Sequence, residues 1–445
     1  MKNAIINASI ITVNSDDQVL HNATIVWENS VITAIGPSNS IAISDDTLVL
    51  DAKNKLAVMP GLIDCHSHSS LLKGFSENMS LIDWLPAYQR EHQILTPDDA
   101  YWAASISYLE ALKGGTTCTV DMYRYMHKCA EAAVHLGVRS FLAPYVADRA
   151  DKIFFETLDN NELLINQWHN AENGRIQVMV GLEHLLYCSN EAYQRAYKLS
   201  EDYGVFVHTH SSEFKGEVEL VVQTFGKRPI NLLKERGILT PQTIIAHGVW
   251  LNDEELDLLA KHNTSIVYCP TSNAKLAGGS ARIQEMKKRN IKVGLGTDGT
   301  ISNNSLSMWE SMKFGSLLQK NSTLDPTVLP ATEMIRMATI DGASILKQEH
   351  LIGSLEVGKK ADLITVDLWQ PHLFPIVSDS EHDPLLWNLV FAARASDVVD
   401  VWIDGDQVLK DKMSKQINEA QLLSQVCEQT VNLLKRREKT CIIKM

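Results

Sequence analysis

Two histidines spaced two residues apart, His66 and His68, end an apolar run that begins at Leu56. The run is typical of a buried β-strand, and residues two apart on a strand point to the same face of the sheet. Two neutral imidazoles aimed at one point are suited to bind a metal ion. Two ordinary surface histidines after a strand would have the same spacing. The residues at the other strand ends are therefore needed to distinguish a metal site from a pair of surface histidines.

Strand-like apolar runs alternate with amphipathic, helix-like segments between residues 57 and 360. Eight such β-then-α units are the number that a (β/α)8 TIM barrel requires. The predicted strands are residues 57–64, 115–121, 138–146, 176–183, 204–210, 242–248, 264–269 and 291–297. The helix-like segments include residues 97–113, 191–202, 253–262 and 305–319. A doubly wound parallel sheet is the alternative.

The two chain ends share a different pattern, in which short strand-like runs are separated by clusters of turn-forming residues. This pattern covers residues 1–56 and returns at 361–410, and a helical periodicity follows at about 418–439. We therefore expect residues 1–56 and 361–445 to form a small composite β-sandwich domain with a C-terminal helix. Residues 57–360 would form the barrel, so the overall fold class is α/β.

Active sites of such barrels lie at the carboxyl ends of the strands. The fifth strand ends in His208 and His210 with Glu213 close behind, the sixth ends in His247 and the eighth in Asp298. Imidazoles and a carboxylate on one rim suit a divalent metal, Zn²⁺ above all, with Fe²⁺ or Mn²⁺ as alternatives. A single one of these residues is often an ordinary polar strand end. Together, at the expected ends, they predict one metal site.

Composition excludes several classes of function. The chain has 445 residues, 45% of them hydrophobic, and a net charge of −13, which argues against a nucleic-acid partner and an anionic membrane surface. Seven scattered cysteines without a C-x-x-C motif predict reduced thiols. The start is unlike a signal peptide, and no stretch approaches the roughly 18 apolar residues of a membrane span. We therefore expect a cytoplasmic protein.

Several segments resemble the amidohydrolase superfamily, and within it the branch of nucleoside and triazine deaminases and chlorohydrolases. The chain is most similar to the methylthioadenosine/S-adenosylhomocysteine deaminases of that branch, and the resemblance covers nearly its whole length. The segments that carry it are Met59–His68, Gly114–Met122, Cys269–Gly278, Asp298–Asn304 and Ile352–Ile364, together with His210 and His247.

The resemblance implies that His66, His68, His210 and Asp298 bind one metal together with a water, and that His247 lies beside that water. Binuclear relatives carry a lysine at the end of strand four, where this chain has none, so a single metal per subunit is expected. The resemblance also implies a homo-oligomer.

Each of three residues has a chemical role that fits this site. The Asp298 carboxylate can take a proton from the attacking water and deliver it to the leaving group. His247 can stabilise the developing oxyanion. Glu213 is placed to protonate or hold a nitrogen of an amino-heterocycle, and the alternative for it is an acid that only favours a helix start.

The resemblance implies that three residues contact the substrate. His184 follows strand four, and Trp84 lies in the insertion after strand one, where its aromatic plane would cover a heterocycle. Glu91 is the glutamate between Trp84 and Thr96 that would grip ribose hydroxyls. A structural histidine and a buried tryptophan that anchors its loop are the alternatives for the first two.

The sequence therefore predicts a hydrolytic deaminase that releases ammonia from an amino-substituted N-heterocycle. The adenine ring of S-adenosylhomocysteine, methylthioadenosine or adenosine is the candidate substrate. The alternative keeps the site and changes the leaving group, as in a triazine chlorohydrolase, an alkylaminohydrolase or a cyclic amidine hydrolase. A catalytically dead scaffold protein is disfavoured, because such proteins lose metal ligands and this chain retains all four.

Overall fold

The computed structural model describes residues 1–75, 77–79, 81–149, 155–377 and 383–442, and for 81–87 and 440–442 it describes the backbone alone. The strands are Lys2–Ile11 (β1), Val19–Glu28 (β2), Val31–Pro37 (β3), Leu48–Asp51 (β4), Leu56–Pro60 (β5), Leu62–His68 (β6), Thr116–Tyr123 (β7), Arg139–Pro144 (β8), Ile176–Val178 (β9), Val180–His184 (β10), Val207–Ser211 (β11), Thr243–His247 (β12), Ser265–Tyr268 (β13), Val293–Leu295 (β14), Asp298–Gly299 (β15), Leu363–Asp367 (β16), Val398–Ile403 (β17), Asp406–Lys410 (β18) and Met413–Ser414 (β19).

Seventeen α-helices accompany these strands in the described part of the chain. They are Leu81–Ile94 (α1), Pro97–Lys113 (α2), Met126–Leu136 (α3), Leu158–Trp168 (α4), Ala171–Gly174 (α5), Asn190–Tyr203 (α6), Lys215–Phe225 (α7), Pro229–Glu235 (α8), Asp253–His262 (α9), Pro270–Lys275 (α10), Ile283–Lys288 (α11), Thr300–Asn303 (α12), Met308–Thr323 (α13), Ala331–Met337 (α14), Ile340–Ile345 (α15), Leu385–Phe391 (α16) and Glu419–Ile442 (α17). Among the described residues, no helix combines the length and the apolar character needed to span a bilayer.

Contacts between Cα atoms divide the chain into two units. The first unit comprises Met1–Asp64, Leu109–Cys118 and Ser307–Ile417. The second unit comprises Cys65–Tyr108, Thr119–Leu306 and Asn418–Met445.

The first unit is built on one nine-stranded sheet from both chain ends, in the order β19-β18-β17-β16-β5-β1-β2-β3, with β4 beside β1. Strands β2 and β17 are four positions apart in this order, which in a flat sheet is about 19 Å. Yet the ring centroids of Trp27 on β2 and Trp402 on β17 are only 5.5 Å apart. The sheet therefore folds back on itself, and the two buried rings fill the space between its layers, as in the predicted sandwich.

The second unit holds the barrel. Two parallel five-stranded sheets run β15-β6-β7-β8-β9 and β10-β11-β12-β13-β14. Only Met179 separates β9 from β10, and only Gly296 and Thr297 separate β14 from β15, so each pair is one strand with a bend. The ten segments thus form eight strands in a closed ring, which confirms the predicted (β/α)8 barrel. The bend at Gly296 passes so close to His66 that an added Cβ would lie 3.1 Å from the His66 Cβ.

The prediction of one first strand over 57–64 was wrong in its boundaries. The apolar run holds two strands, because β5 pairs with β16 and β1 in the sandwich while the barrel strand β6 begins at Leu62. Gly61 separates the two strands, and a side chain there would collide with Thr117. As a result, His66 and His68 lie inside the end of β6 and not after it.

The division of the chain also differs from the predicted boundaries. Helix α17, assigned from the sequence to the sandwich domain, belongs to the second unit because Arg436 and Gln429 both bind the buried Asp99 of α2. Residues 307–360, assigned to the barrel, group with the first unit, where α13 and α14 pack on α16. Sequence periodicity places helices well, but it does not say what they pack against.

Candidate metal centre and active site

Five residues predicted for the site converge at the carboxyl end of the barrel. His66 and His68 lie on β6, His210 on β11 and His247 at the end of β12, and all four are buried. Asp298 opens β15, and its backbone pairs with Ser67, between the two histidines of β6. The strand ends alone therefore bring the side chains together.

The ligand atoms lie within a few ångströms of one another. The Nε2 atoms of His68 and His210 are 3.2 Å apart. Asp298 Oδ1 lies 3.3 Å from His68 Nε2 and 3.7 Å from His66 Nε2. His66 and His210 also form a close triplet of nitrogen atoms with His247. One ion at the centre of this group would be in reach of all of these atoms.

The proton positions fit a divalent metal. His68 Nδ1 donates to the Met122 carbonyl at 2.6 Å and His210 Nδ1 donates to the Glu183 carbonyl at 2.7 Å, so both Nε2 atoms carry lone pairs. Burial, above all, lowers the pKa of His66 and His210 and keeps both rings neutral. Two facing lone pairs at 3.2 Å repel each other unless a cation lies between them. The donor set is thus that of a metal site.

Three residues at the site have unusual backbone conformations. Ser212, His247 and Asp298 have φ values of 57°, 74° and 64°, in the left-handed region that non-glycine residues rarely adopt. Such conformations cost of order 1–3 kcal/mol each and persist where the surrounding structure enforces them. Ser212 directly follows β11, His247 ends β12 and Asp298 opens β15, so the strain lies where the side chains converge.

Two neighbouring residues that the sequence did not single out as site residues hold this cluster. Ser272 Oγ donates to Asp298 Oδ2 at 2.5 Å, and Asn273 Nδ2 lies 3.2 Å from His247 Nδ1. The amide donation leaves the His247 proton on Nε2, facing the site. Both residues belong to the Cys269–Gly278 segment that carried part of the resemblance, so that segment was the available signal.

Glu213 lies beside the cluster but outside the proposed ligand set. Its Oε1 is 3.9 Å from His247 Nε2. Burial first, and then the charges of Asp298 and Glu217, raise the pKa of Glu213 well above its ordinary range. The raised pKa lets this carboxyl group keep its proton to a higher pH than an ordinary glutamate, so it can act as a proton donor.

Glu217 fixes the turn that carries Glu213. Its two carboxylate oxygens accept the backbone N–H groups of Ser212 at 2.8 Å and Glu213 at 2.6 Å. Its Oε1 also lies 2.9 Å from His184 Nε2. Burial is the largest single effect and opposes a charge on His184. The charge and the hydrogen bond of Glu217, with smaller contributions from other nearby acids, together outweigh burial and raise the pKa of His184.

His184 lines the cavity as expected, yet both of its ring nitrogens already have protein partners. Nε2 pairs with Glu217, and Nδ1 accepts from the Leu186 backbone N–H at 3.2 Å. The predicted substrate contact of His184 stays a prediction, and it would require the ring to leave one of these bonds.

Glu91, the residue expected to grip a ribose, is placed elsewhere. Its buried carboxylate pairs with Arg437 of α17 at 3.3 Å, and it is not among the cavity-lining residues. Trp84 belongs to α1, but its side chain lies outside the described part of the structure. The cavity wall that α1 does provide consists of Tyr88 and Gln89.

A cavity of about 750 Å³ opens beside the cluster. His68, His210, His247, Glu213 and Asp298 all line it. Among the described lining residues, Arg149 is the one arginine or lysine. Other lining side chains that shape it are Tyr88, Gln89, Tyr145, Tyr187, Phe214 and Leu220. This volume is ample for a drug-sized heterocycle.

Comparison with known proteins places the chain in a family. Residues 57–408 match the amidohydrolase family. The 5-methylthioadenosine/S-adenosylhomocysteine deaminase of Thermoanaerobacter pseudethanolicus is 36% identical over 434 residues, which cover 97% of this chain and 99% of that protein. The 5'-deoxyadenosine deaminase of Methanosarcina barkeri is 34% identical over 434 residues, covering 97% and 98%.

Solved structures agree with this assignment. A zinc-bound adenosine deaminase from Xanthomonas campestris has a TM-score of 0.91 and 26% identity, covering 97% of this chain and 98% of that one. A zinc-complexed atrazine chlorohydrolase from Arthrobacter aurescens has a TM-score of 0.87 at 21% identity, covering 96% and 100%, and this likeness shows the fold alone. With a family match over most of its length and relatives above 30% identity, the chain belongs to the amidohydrolase family and acts as a hydrolase on C–N bonds.

Proposed function

We propose that this protein is a zinc-dependent deaminase that removes the exocyclic amino group of an adenine nucleoside. S-Adenosylhomocysteine, methylthioadenosine, 5'-deoxyadenosine and adenosine are the candidate substrates, in line with the names of its relatives. The observation that carries the proposal is the position of the Glu213 carboxyl group, which lies 3.9 Å from His247 Nε2 and beside Asp298 and has a raised pKa. A basic ring that loses ammonia needs a proton donor there.

His66, His68, His210 and Asp298 would hold the metal in this proposal. When bound, a divalent ion lowers the pKa of a nearby water toward neutrality and so supplies a nucleophile. Zinc suits three imidazoles and one carboxylate, although Fe²⁺ or Mn²⁺ would fit the same donors. The zinc-bound adenosine deaminase from Xanthomonas campestris, at 26% identity, favours zinc.

The residues of the chain divide the proton transfers among them. Glu213 donates its proton to a ring nitrogen, which makes the adjacent carbon more electrophilic. The Asp298 carboxylate accepts a proton from the attacking water and later delivers it to the departing amine. As ammonia leaves, the added hydroxyl group loses its remaining proton to Glu213, which restores the acid and leaves a ring carbonyl. His247 is neutral because burial lowers its pKa, and its Nε2–H donates a hydrogen bond where negative charge develops on the attacking oxygen.

An ammonia-release screen tests this proposal. The metal-depleted and zinc-reloaded protein would be given the four adenosine compounds, guanine, amino-pterins, cytosines and amino-triazines. We expect ammonia from the adenosine compounds, with activity lost on chelation and restored by zinc. Release from free bases alone would reject the nucleoside but keep the chemistry. Chloride or alkylamine release from triazines, with no ammonia, would favour the alternative leaving groups.

The cytoplasmic location and the homo-oligomer stay predictions. The described cysteines carry free thiols, five of them buried, which supports a reducing compartment. Light scattering of the purified protein would measure the subunit number directly.

A further inference from the structure

Strand β11 carries a second buried histidine below the rim. His208 and His210 are two residues apart, so both side chains point into the barrel, with His208 one layer deeper. The interior layers of such barrels are dominated by branched apolar side chains. An imidazole that is 0% exposed at this depth is costly unless its polar atoms are engaged. The hydrogen-bond partner of His208 therefore indicates the role of this buried imidazole.

The partner is a residue of the proposed metal site. His208 Nε2 lies 2.8 Å from His66 Nδ1, and the two ring centroids are 5.0 Å apart. Both side chains are fully buried, so no bulk water competes for this hydrogen bond. His208 thus touches His66 on the side opposite to the nitrogen that faces Asp298.

The three histidines of the site differ in what holds their Nδ1 proton. His68 uses the Met122 carbonyl and His210 uses the Glu183 carbonyl, and a backbone carbonyl can only accept. His66 uses the His208 side chain. For His66 Nε2 to offer a lone pair to a metal, its single proton must be on Nδ1, so His208 Nε2 must accept it. Of these three acceptors, only the one for His66 can be changed by a point mutation.

We propose that His208 is a positioning residue that fixes the ring orientation and tautomer of His66 and thereby sets the metal affinity of the site. The inference rests on the proposed role of His66 as a metal ligand. Removing such a partner of a ligand histidine typically weakens metal binding about 10–100-fold. His208 itself does not contact the substrate cavity.

The test compares the variants His208→Leu, His208→Gln and Thr209→Val with the wild type. The glutamine amide oxygen has a reach similar to that of His208 Nε2 and can accept from His66 Nδ1, whereas leucine cannot. Thr209 is equally buried on the same strand, but it points to the opposite face and serves as the matched control. The dissociation constant of Zn²⁺ would be measured on each metal-free protein by competition with a chromophoric chelator.

We expect weaker zinc binding by about 10–100-fold in His208→Leu, near-complete recovery in His208→Gln and no change in Thr209→Val. Thermal unfolding of the metal-free proteins separates this effect from loss of the fold. If the leucine variant does not fold, His208→Asn replaces it, since its shorter amide cannot reach His66. Equal zinc affinity in the wild type and in His208→Leu, or in His208→Asn if that replaces it, would overturn the inference. A His208→Gln variant that binds zinc no more tightly than this non-accepting variant would also overturn it. A wild type without a zinc site would overturn the proposed metal centre itself.

Discussion

Replacing Glu213 with glutamine tests the proton donor on which the proposed chemistry depends. The amide keeps the shape and can still donate a hydrogen bond, but it cannot transfer a proton. Glu213 is 3.9 Å from His247 Nε2 and is not one of the four proposed metal ligands, so the zinc content should be unchanged. The substitution therefore separates proton transfer from metal binding.

The structure also sets the size and the pH dependence of the effect. A positioned general acid typically contributes 10²–10⁴-fold, so we expect kcat/KM to fall by about that factor. Burial, followed by the charges of Asp298 and Glu217, raises the pKa of Glu213. Activity that uses its proton is full below this raised pKa and is lost as the pH rises through it. Wild-type kcat/KM should therefore decline on the alkaline side, and Glu213→Gln should lack that decline.

The assay is initial-rate ammonia release across the pH range, with zinc measured on the same samples. Glu235→Gln is the matched control, because Glu235 is mostly exposed, pairs with Lys227 and is not among the cavity-lining residues. It should leave kcat/KM close to wild type. Unchanged kcat/KM in Glu213→Gln, or an alkaline decline that persists in it, would refute the role of Glu213.

Three further substitutions probe the surroundings of the site. Ser272→Ala removes the hydrogen bond to Asp298 Oδ2, which is worth about 1.5–3 kcal/mol. We therefore expect kcat to fall about 10–100-fold while the zinc content stays constant. A wild-type kcat in this variant would contradict the role of Ser272. Glu91→Gln should destabilise the fold by about 1–3 kcal/mol in denaturant unfolding, through loss of the pair with Arg437, and should not raise KM selectively for ribosyl substrates. Arg149 lines the cavity, and S-adenosylhomocysteine carries a carboxylate that methylthioadenosine lacks. Arg149→Ala should therefore raise KM for S-adenosylhomocysteine and leave KM for methylthioadenosine nearly unchanged. Equal effects on both KM values would contradict a contact between Arg149 and the substrate carboxylate.

The metal cluster was predictable because each of its members is set by local rules. Strand alternation places His66 and His68 on one face, and the barrel brings the ends of distant strands to one rim. The chemistry of imidazoles and a carboxylate then indicates a metal. The convergence of these residues does not depend on which loops or helices pack together. Errors of several residues in the strand boundaries, as for β6, therefore left the predicted cluster unchanged.

The supporting residues were harder to find, because their roles depend on contacts across the fold. Ser272 and Asp298 are 26 positions apart, and His66 and His208 are 142 apart. A serine in a short helix and a histidine in a strand carry no local sign of such partners. The resemblance marked the segment around Ser272, but only the structure shows that its hydroxyl group holds the Asp298 carboxylate.

The position of Glu91 between Trp84 and Thr96 did not indicate which face of helix α1 its side chain occupies. Each helical residue turns about 100°, so Glu91 lies about 200° around α1 from Gln89. Gln89 lines the cavity, and Glu91 accordingly faces away, toward Arg437 of α17. A nucleoside bound in this cavity must therefore meet different polar groups with its ribose hydroxyls. Gln89, which donates to the Tyr187 hydroxyl at 2.6 Å, offers one such contact on the same helix, through an amide instead of a carboxylate.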